Sequence, residues 1–148
     1  MRVSVIGASA PSDAALEDAQ AVGRLLAERG HTVVCGGLGG VMEAACRGAS
    51  EAGGHTVGIL PGEHHSAAND YVDTAIATGL GHARNALVVM NGDAAIAVSG
   101  SGGTLSEVGF ASVYDRPIAG IGAPDAPHVA DVETPAAAVA YVEDNADC

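Results

Sequence analysis

There is no lysine in this chain. All six basic residues are arginine (Arg2, Arg24, Arg29, Arg47, Arg84, Arg116), set against eighteen acidic ones for a net charge of −12. The absence excludes whole chemistries. Without lysine no Schiff base to pyridoxal phosphate can form, and no Walker-type loop can place its lysine on the β/γ-phosphates. Six scattered arginines make no basic patch, so a nucleic-acid duplex is not an expected partner. Tryptophan is also missing, and there is a single phenylalanine. The core must therefore be built from Ala, Val, Ile and Leu, which suits helices packed closely on a parallel sheet. The three cysteines, Cys35, Cys46 and Cys148, form no CxxC pair, which argues against a disulfide framework or zinc site and makes Cys35 and Cys46 small core residues. The pair His64-His65 sits in a polar stretch with no partnering ligand motif, and no metal is expected. No apolar run reaches the roughly 18 residues of a membrane span. Met1 to Gly7 lacks the basic start and long apolar stretch of a signal peptide, so a cytoplasmic protein is expected. An acidic surface devoid of lysine is the composition that high internal salt favours, because ions screen its self-repulsion.

What is present is an alternation of strand and helix patterns. Val3 to Ile6 reads as a buried strand ending at Gly7. A helix follows, capped by Ser12 or Asp13, with Leu16, Ala19, Val22, Leu25 and Leu26 at helical spacing. Thr32 to Cys35 is the second strand, and a helix from about Val41 to Ala52 comes after it. His55 to Leu60 is the third strand, broken by Pro61-Gly62. A polar loop over 61–70 and an extended piece from Val72 to Ile76 lead to a helix from about Gly81 to Met90. Strands over Ala94 to Val98 and Pro117 to Ile121 flank a helix from about Leu105 to Tyr114. One weak strand and a last helix near Pro135 to Val142 complete the pattern. Nothing marks a linker or repeat, so residues 1–148 are expected to form a single α/β domain. Its architecture is a three-layer, modified Rossmann-like fold with a mostly parallel sheet.

Two glycine-rich segments follow strands directly and open helices: Gly36-Gly37-Leu38-Gly39-Gly40 and Ser99-Gly100-Ser101-Gly102-Gly103-Thr104. Such a turn offers free backbone N–H groups at the positive end of a helix dipole, and glycine lets a ligand approach closely. In open sheets of this type ligands bind beyond the carboxyl ends of the strands. Ser101 and Thr104 add hydroxyl donors. Glu107, one turn into its helix, can face the pocket, accept a hydrogen bond or activate water. Arg84, near the start of a helix where a cation gains nothing from the dipole, reads as a fork for a phosphate or carboxylate. Glu43 occupies the first turn after the other loop. A dinucleotide site of the NAD kind fits poorly, because the first loop reads Gly7-Ala8-Ser9-Ala10-Pro11-Ser12 instead of GxGxxG. The second strand, moreover, ends in Cys35 where an acidic residue would hold the ribose.

The runs from Cys35 to Ala44 and from Ser99 to Glu107 resemble the two hallmark segments of the LOG superfamily. This superfamily, often labelled lysine decarboxylase-like, includes cytokinin-activating phosphoribohydrolases, molybdenum-cofactor carriers and a group related to DprA/Smf. Gly53 to Gly62 and Gly81-His82-Ala83-Arg84-Asn85 resemble the short prokaryotic branch close to the carriers. The resemblance spans roughly residues 2 to 122. It implies a homodimer or homotetramer that binds a nucleoside monophosphate or a molybdopterin-type cofactor as a carrier or sensor, with no other cofactor required. The binding positions it implies are Gly7, Ser9, Gly36, Gly37, Gly39, Gly40, Met42, Glu43, Arg84, Asn85, Gly100, Ser101, Gly102, Gly103 and Thr104. The alternative is hydrolysis of the N-glycosidic bond of nucleoside 5'-monophosphates, with the catalytic Arg and Glu of that activity falling on Arg84 and Glu107. The hydrolase pattern PGGxGTxxE has Ser99 here in place of Pro and Ser101 in place of the second Gly, while Gly100, Gly103, Thr104 and Glu107 match.

Overall fold

The computed structural model describes residues 1–147. Seven parallel strands form one sheet in the order β4-β3-β2-β1-β5-β6-β7. In chain order these are β1 (Arg2–Gly7), β2 (Thr32–Cys35), β3 (Thr56–Leu60), β4 (Thr74–Ala77), β5 (Ala94–Val98), β6 (Ile118–Ile121) and β7 (Val129–Asp131). Five α-helices connect or follow them: α1 (Asp13–Glu28), α2 (Val41–Glu51), α3 (Asn85–Met90), α4 (Gly102–Val113) and α5 (Pro135–Asn145). The chain builds outward from β1 to β4 on one side. It then returns to lay β5, β6 and β7 on the other, with β5 paired to β1 from Val3↔Ala94 to Gly7↔Val98. The strand order therefore reverses between β1 and β5, and the carboxyl ends of these two strands open a crevice of the kind where such folds bind ligands.

Central strands buried on both faces need unbroken apolar runs, and β5 (AAIAV) is buried throughout. One core cluster lies where α1, α2 and α5 cover the sheet and includes Val22, Leu26, Val41, Ala45 and Val139. The second, with Ile6, Val88, Val89, Val108 and Ile118, lies under α3 and α4. α1 and α2 touch so closely that a methyl group on Gly23 would stand 1.9 Å from the Ala45 carbonyl oxygen, and one on Gly48 would stand 2.0 Å from that of Gln20. The small-residue composition is what permits this approach.

Element boundaries moved in informative places. α4 begins at Gly102, three residues before the expected Leu105, so Gly102, Gly103 and Thr104 are its first turn rather than a preceding loop. The helix expected over Gly81 to Met90 divides into a 3-10 turn (Gly81–Arg84) and the short α3. The extended piece near Val72 is a full parallel edge strand, in register with β3 from Val57↔Thr74 to Leu60↔Ala77. The polar loop over 61–70 includes a 3-10 turn at His65–Ala67. Among the described residues no helix is long and apolar enough to cross a membrane.

Candidate functional site

A cavity of about 370 Å³ occupies the crevice between β1 and β5, within the size range of small-ligand sites. Both glycine-rich segments reach it. Gly36, Leu38 and Met42 contribute from the first, and Ser101, Gly103, Thr104 and Glu107 from the second. Gly7 and Ser9 supply the turn after β1, and Arg84 and Asn85 close the side. The expected positions Gly37, Gly39, Gly40, Gly100, Gly102 and Glu43 do not line this cavity. Gly37 instead turns with φ +78° so that its N–H donates to Cys35 Sγ at 3.3 Å. Gly40 is the N-cap of α2, and Glu43 borders a separate groove with Arg47 and Tyr71. Pro61, Gly81 and His82 line the cavity without having been expected there. They sit on the connection after β3 and in the 3-10 turn, regions that the stretches Gly53 to Gly62 and Gly81-His82-Ala83-Arg84-Asn85 signalled without singling out these residues.

Two of the helices that meet the cavity, α2 and α4, share a property. Gly40 ahead of α2 and Ser101 ahead of α4 make no side-chain cap bond. By contrast, α1 and α5 are each capped, Ser12 Oγ accepting from the Ala15 N–H and Thr134 Oγ1 from the Ala137 N–H. The first-turn N–H groups of α4, those of Gly102, Gly103 and Thr104, have no intrahelical acceptor and no cap. Ser99, which precedes this turn, adopts φ +56°, a left-handed conformation that a proline at this position could not share.

Arg84 differs from the sequence expectation. It is 7% exposed, and much of its fork is committed to the protein. Nε donates to the Ile59 carbonyl at 2.9 Å, Nη2 to the Gly36 carbonyl at 3.4 Å, and Nη1 to Asn85 Oδ1. Its guanidinium thus ties the ends of β2 and β3 together while facing the cavity with its remaining N–H bonds. Burial presses its pKa below the ordinary arginine value, while the negative charge of Glu107 pulls the other way. Asn85, held by Arg84, donates through Nδ2 to Ser106 Oγ at 3.1 Å and links the α3 side to α4.

Glu107 is 8% exposed and accepts no hydrogen bond from the described residues. Burial raises its pKa from the ordinary 4.5 to about 7, with Arg84 offsetting part of the effect. The result is a carboxyl that switches near neutrality, poised beside a cation and the free N–H groups of α4. Beneath the first loop, Cys35 and Cys46 are free, buried and in contact, Sγ to Sγ 3.4 Å. The bond to Cys35 and burial together hold the Cys46 thiol protonated, so these residues fill core space as expected. Asn69, which the sequence reading passed over, fixes the loop from the far side: its N–H donates to the Gly37 carbonyl at 2.9 Å and its Nδ2 to the Leu38 carbonyl at 3.0 Å.

Comparison with known proteins shows the family and the fold. A model described as LDcluster4, SLOG cluster4 family, matches residues 1–148. A protein of Archaeoglobus fulgidus is 43% identical over 142 residues, covering 95% of this chain and 93% of its own length. The cytokinin riboside 5'-monophosphate phosphoribohydrolase of Mycobacterium tuberculosis is 35% identical over 127 residues, 78% of this chain and 67% of that protein. The solved molybdenum cofactor binding protein of Rippkaea orientalis superposes with a TM-score of 0.91 at 33% identity, covering 97% of this chain and 95% of that one.

Proposed function

The chain belongs to the SLOG cluster4 family, and from that premise we propose that it is a carrier or sensor binding a phosphorylated heterocycle of the molybdopterin or nucleoside monophosphate kind. The observation that carries this reading is the pairing of an uncapped α4 N-terminus with the carboxyl of the largely buried Glu107 in one cavity. The first accepts a phosphate. The second lines the same cavity and is an acceptor for ring N–H groups. The molybdenum cofactor fits this donor set, because a phosphate tail and a ring bearing N–H donors are the two features the cavity addresses. Gly103 and Thr104 would hold the phosphate, Glu107 and Asn85 the ring. When bound, the cofactor would bring its own redox chemistry, while the residues here bind, orient and shield it. Commitment of Arg84 to backbone carbonyls supports holding over turnover, since it ties the guanidinium to the frame of the pocket.

Titration calorimetry in molar potassium chloride with AMP, GMP and molybdopterin tests the reading. Binding lost in Glu107→Ala with no change in the nucleotide supports it. Absence of binding by all three overturns it.

One observation favours a second reading, hydrolysis of the N-glycosidic bond. A carboxyl that titrates near 7 suits general acid–base work, and the Mycobacterium tuberculosis relative is a phosphoribohydrolase. In that chemistry Glu107 assists the attack of water at the sugar carbon, while the α4 amides and Arg84 anchor the nucleotide. Release of free base from AMP, abolished by Glu107→Gln, distinguishes this from the carrier.

Self-association through α4 completes the proposal. The apolar residues of α3 are largely used internally, with Val88 and Val89 fully buried and Met90 43% exposed. α4 is the better face. Its single charged residue, Glu107, points inward, leaving Leu105 (48% exposed), Ser106, Gly109, Ser112 and Val113 (70% exposed) on the outside. On a chain carrying −12 this is a surface where two copies can meet without juxtaposing carboxylates. Light scattering should give a dimer or tetramer, and Val113→Glu a monomer. A monomeric wild type refutes it.

A further inference from the structure

Ser106 is exposed and is not part of the cavity wall, yet its hydroxyl ends a line of hydrogen bonds that begins at the carboxyl ends of β2 and β3. We infer that Ser106 is a positioning residue, which holds the peptide between Gly103 and Thr104 at the angle that phosphate binding needs. The inference rests on the proposed binding of a phosphorylated heterocycle and adds what keeps that site in shape.

The direction of each bond in the line is fixed by chemistry. A guanidinium can only donate. Arg84, tied to the Ile59 carbonyl at 2.9 Å and the Gly36 carbonyl at 3.4 Å, donates through Nη1 to Asn85 Oδ1. The other end of that amide, Nδ2, is left to face α4. It too can only donate, and it fills a lone pair of Ser106 Oγ at 3.1 Å. The single hydroxyl proton of Ser106 therefore goes to the Gly103 carbonyl at 2.6 Å. Asn85 is 4% exposed, so the middle of the line is shielded from water. Serines often bond back to a carbonyl one turn earlier in their own helix. Ser106 differs in that Asn85 directs its proton and joins the turn to the rim of the sheet.

The segment at the end of this line needs holding. α4 opens with Gly102 and Gly103 and has no side-chain cap, and glycine is a poor helix former. A methyl group on either glycine would meet nothing within 4 Å outside the helix, so packing does not steady the turn at these two positions. A trans peptide is planar, with its C=O and N–H pointing in opposite directions. Fixing the Gly103 carbonyl on Ser106 thus also aims the Thr104 N–H, which points the other way, towards the amino end of α4. Gly103 and Thr104 border the cavity there, together with the carboxyl of Glu107, a residue only 8% exposed.

The test titrates AMP, GMP and molybdopterin into the whole chain by calorimetry in molar potassium chloride, and follows the Thr104 amide by NMR with each that binds. Ser106→Ala should weaken binding about threefold to tenfold, the worth of one hydrogen bond. The displacement of the Thr104 amide signal at saturation should shrink with it. Ser106→Thr, whose Oγ1 can bond the same carbonyl, should bind within about twofold of wild type. Thermal melts establish that both variants fold. If Ser106→Ala binds as tightly as wild type, the inference is overturned while the central site stands. Weaker binding with an unaltered Thr104 displacement also overturns it, because the serine would then act on stability alone. So does failure of threonine to restore affinity. If the wild type binds none of the three, the central reading fails and this one falls with it.

Discussion

Replacing Glu107 by glutamine isolates the cost of keeping a carboxylate in the central cavity. Glutamine has the shape of the protonated acid and no charge. In the native protein the Glu107 pKa is about 7, against an ordinary 4.5. The folded state therefore binds more protons than the unfolded one between these two values, and stability falls as the pH rises through that window. Below about pH 4.5 both states are protonated and the cost is absent; above about pH 7 both are ionised and it is fully present. At ~1.36 kcal/mol for each pH unit between the two values, the full cost is about 3 kcal/mol. Glu107→Gln should thus melt with the wild type near pH 4.5 and draw ahead as the pH rises. Its advantage should level off above pH 7 at about 6–12 °C, using ~2–4 °C per kcal/mol for a domain of this size. Differential scanning calorimetry across pH 4.5 to 8 without ligand reads this directly. Two melting curves that run parallel across the window would refute the reasoning, because they would mean that the carboxyl titrates as though in water.

Ser101→Asp supplies α4 with the cap it lacks. It should raise stability by about 0.5–2 kcal/mol in thermal melts and abolish nucleotide binding in calorimetry, the new carboxylate taking the amides a phosphate would use. Gly36→Ala should weaken binding and lower the melting temperature: its methyl group would stand 2.7 Å from Met42 Sδ and 2.6 Å from Arg84 Nη2, whose guanidinium is held by the Gly36 and Ile59 carbonyls and cannot yield without losing them. Melting temperature should rise from dilute buffer to molar potassium chloride, because −12 charges repel one another until screened; a flat response would separate the lysine-free composition from salt adaptation.

The order of strands and helices was readable because each apolar run ends in glycine, proline or a capping residue. Val3 to Ile6 leads to Gly7, and Ser12 marks the start of α1 as its side-chain bond to the Ala15 N–H requires. The meeting of both glycine-rich segments in one crevice also followed from pattern alone, since each comes after a strand of a parallel sheet. What escaped was set by contacts between residues distant in sequence. α4 starts early because Ser101 offers its backbone carbonyl to the Leu105 N–H at 2.9 Å, although a Ser-Gly-Gly start has low helix propensity. The piece near Val72 became a strand because the β3 edge was open to it: Asp73 accepts from the Thr56 N–H at 3.0 Å and its own N–H donates back to Thr56 Oγ1 at 2.8 Å. Nothing local in Thr74 to Ala77 announces that pairing.

Arg84 shows most clearly where residue type stops being enough. As a sequence symbol it is a free fork waiting for an anion. In the fold it reaches the carbonyls of Gly36 and Ile59, at the carboxyl ends of β2 and β3, where parallel strands leave acceptors that no next strand residue can satisfy. A lysine could not bridge them, because its ammonium is a single point and lacks the rigid spread of the guanidinium. The same placement leaves the positive charge beside Glu107, and without it the pKa of that carboxyl would rise further still. One residue thus braces the rim of the sheet and offsets part of the rise that burial imposes on the carboxyl facing the cavity. Arg84→Met should consequently reveal itself twice, in a lowered melting temperature and in an upward displacement of the pH at which binding changes. A purely structural arginine would move only the first, and an arginine that merely grips phosphate would move neither.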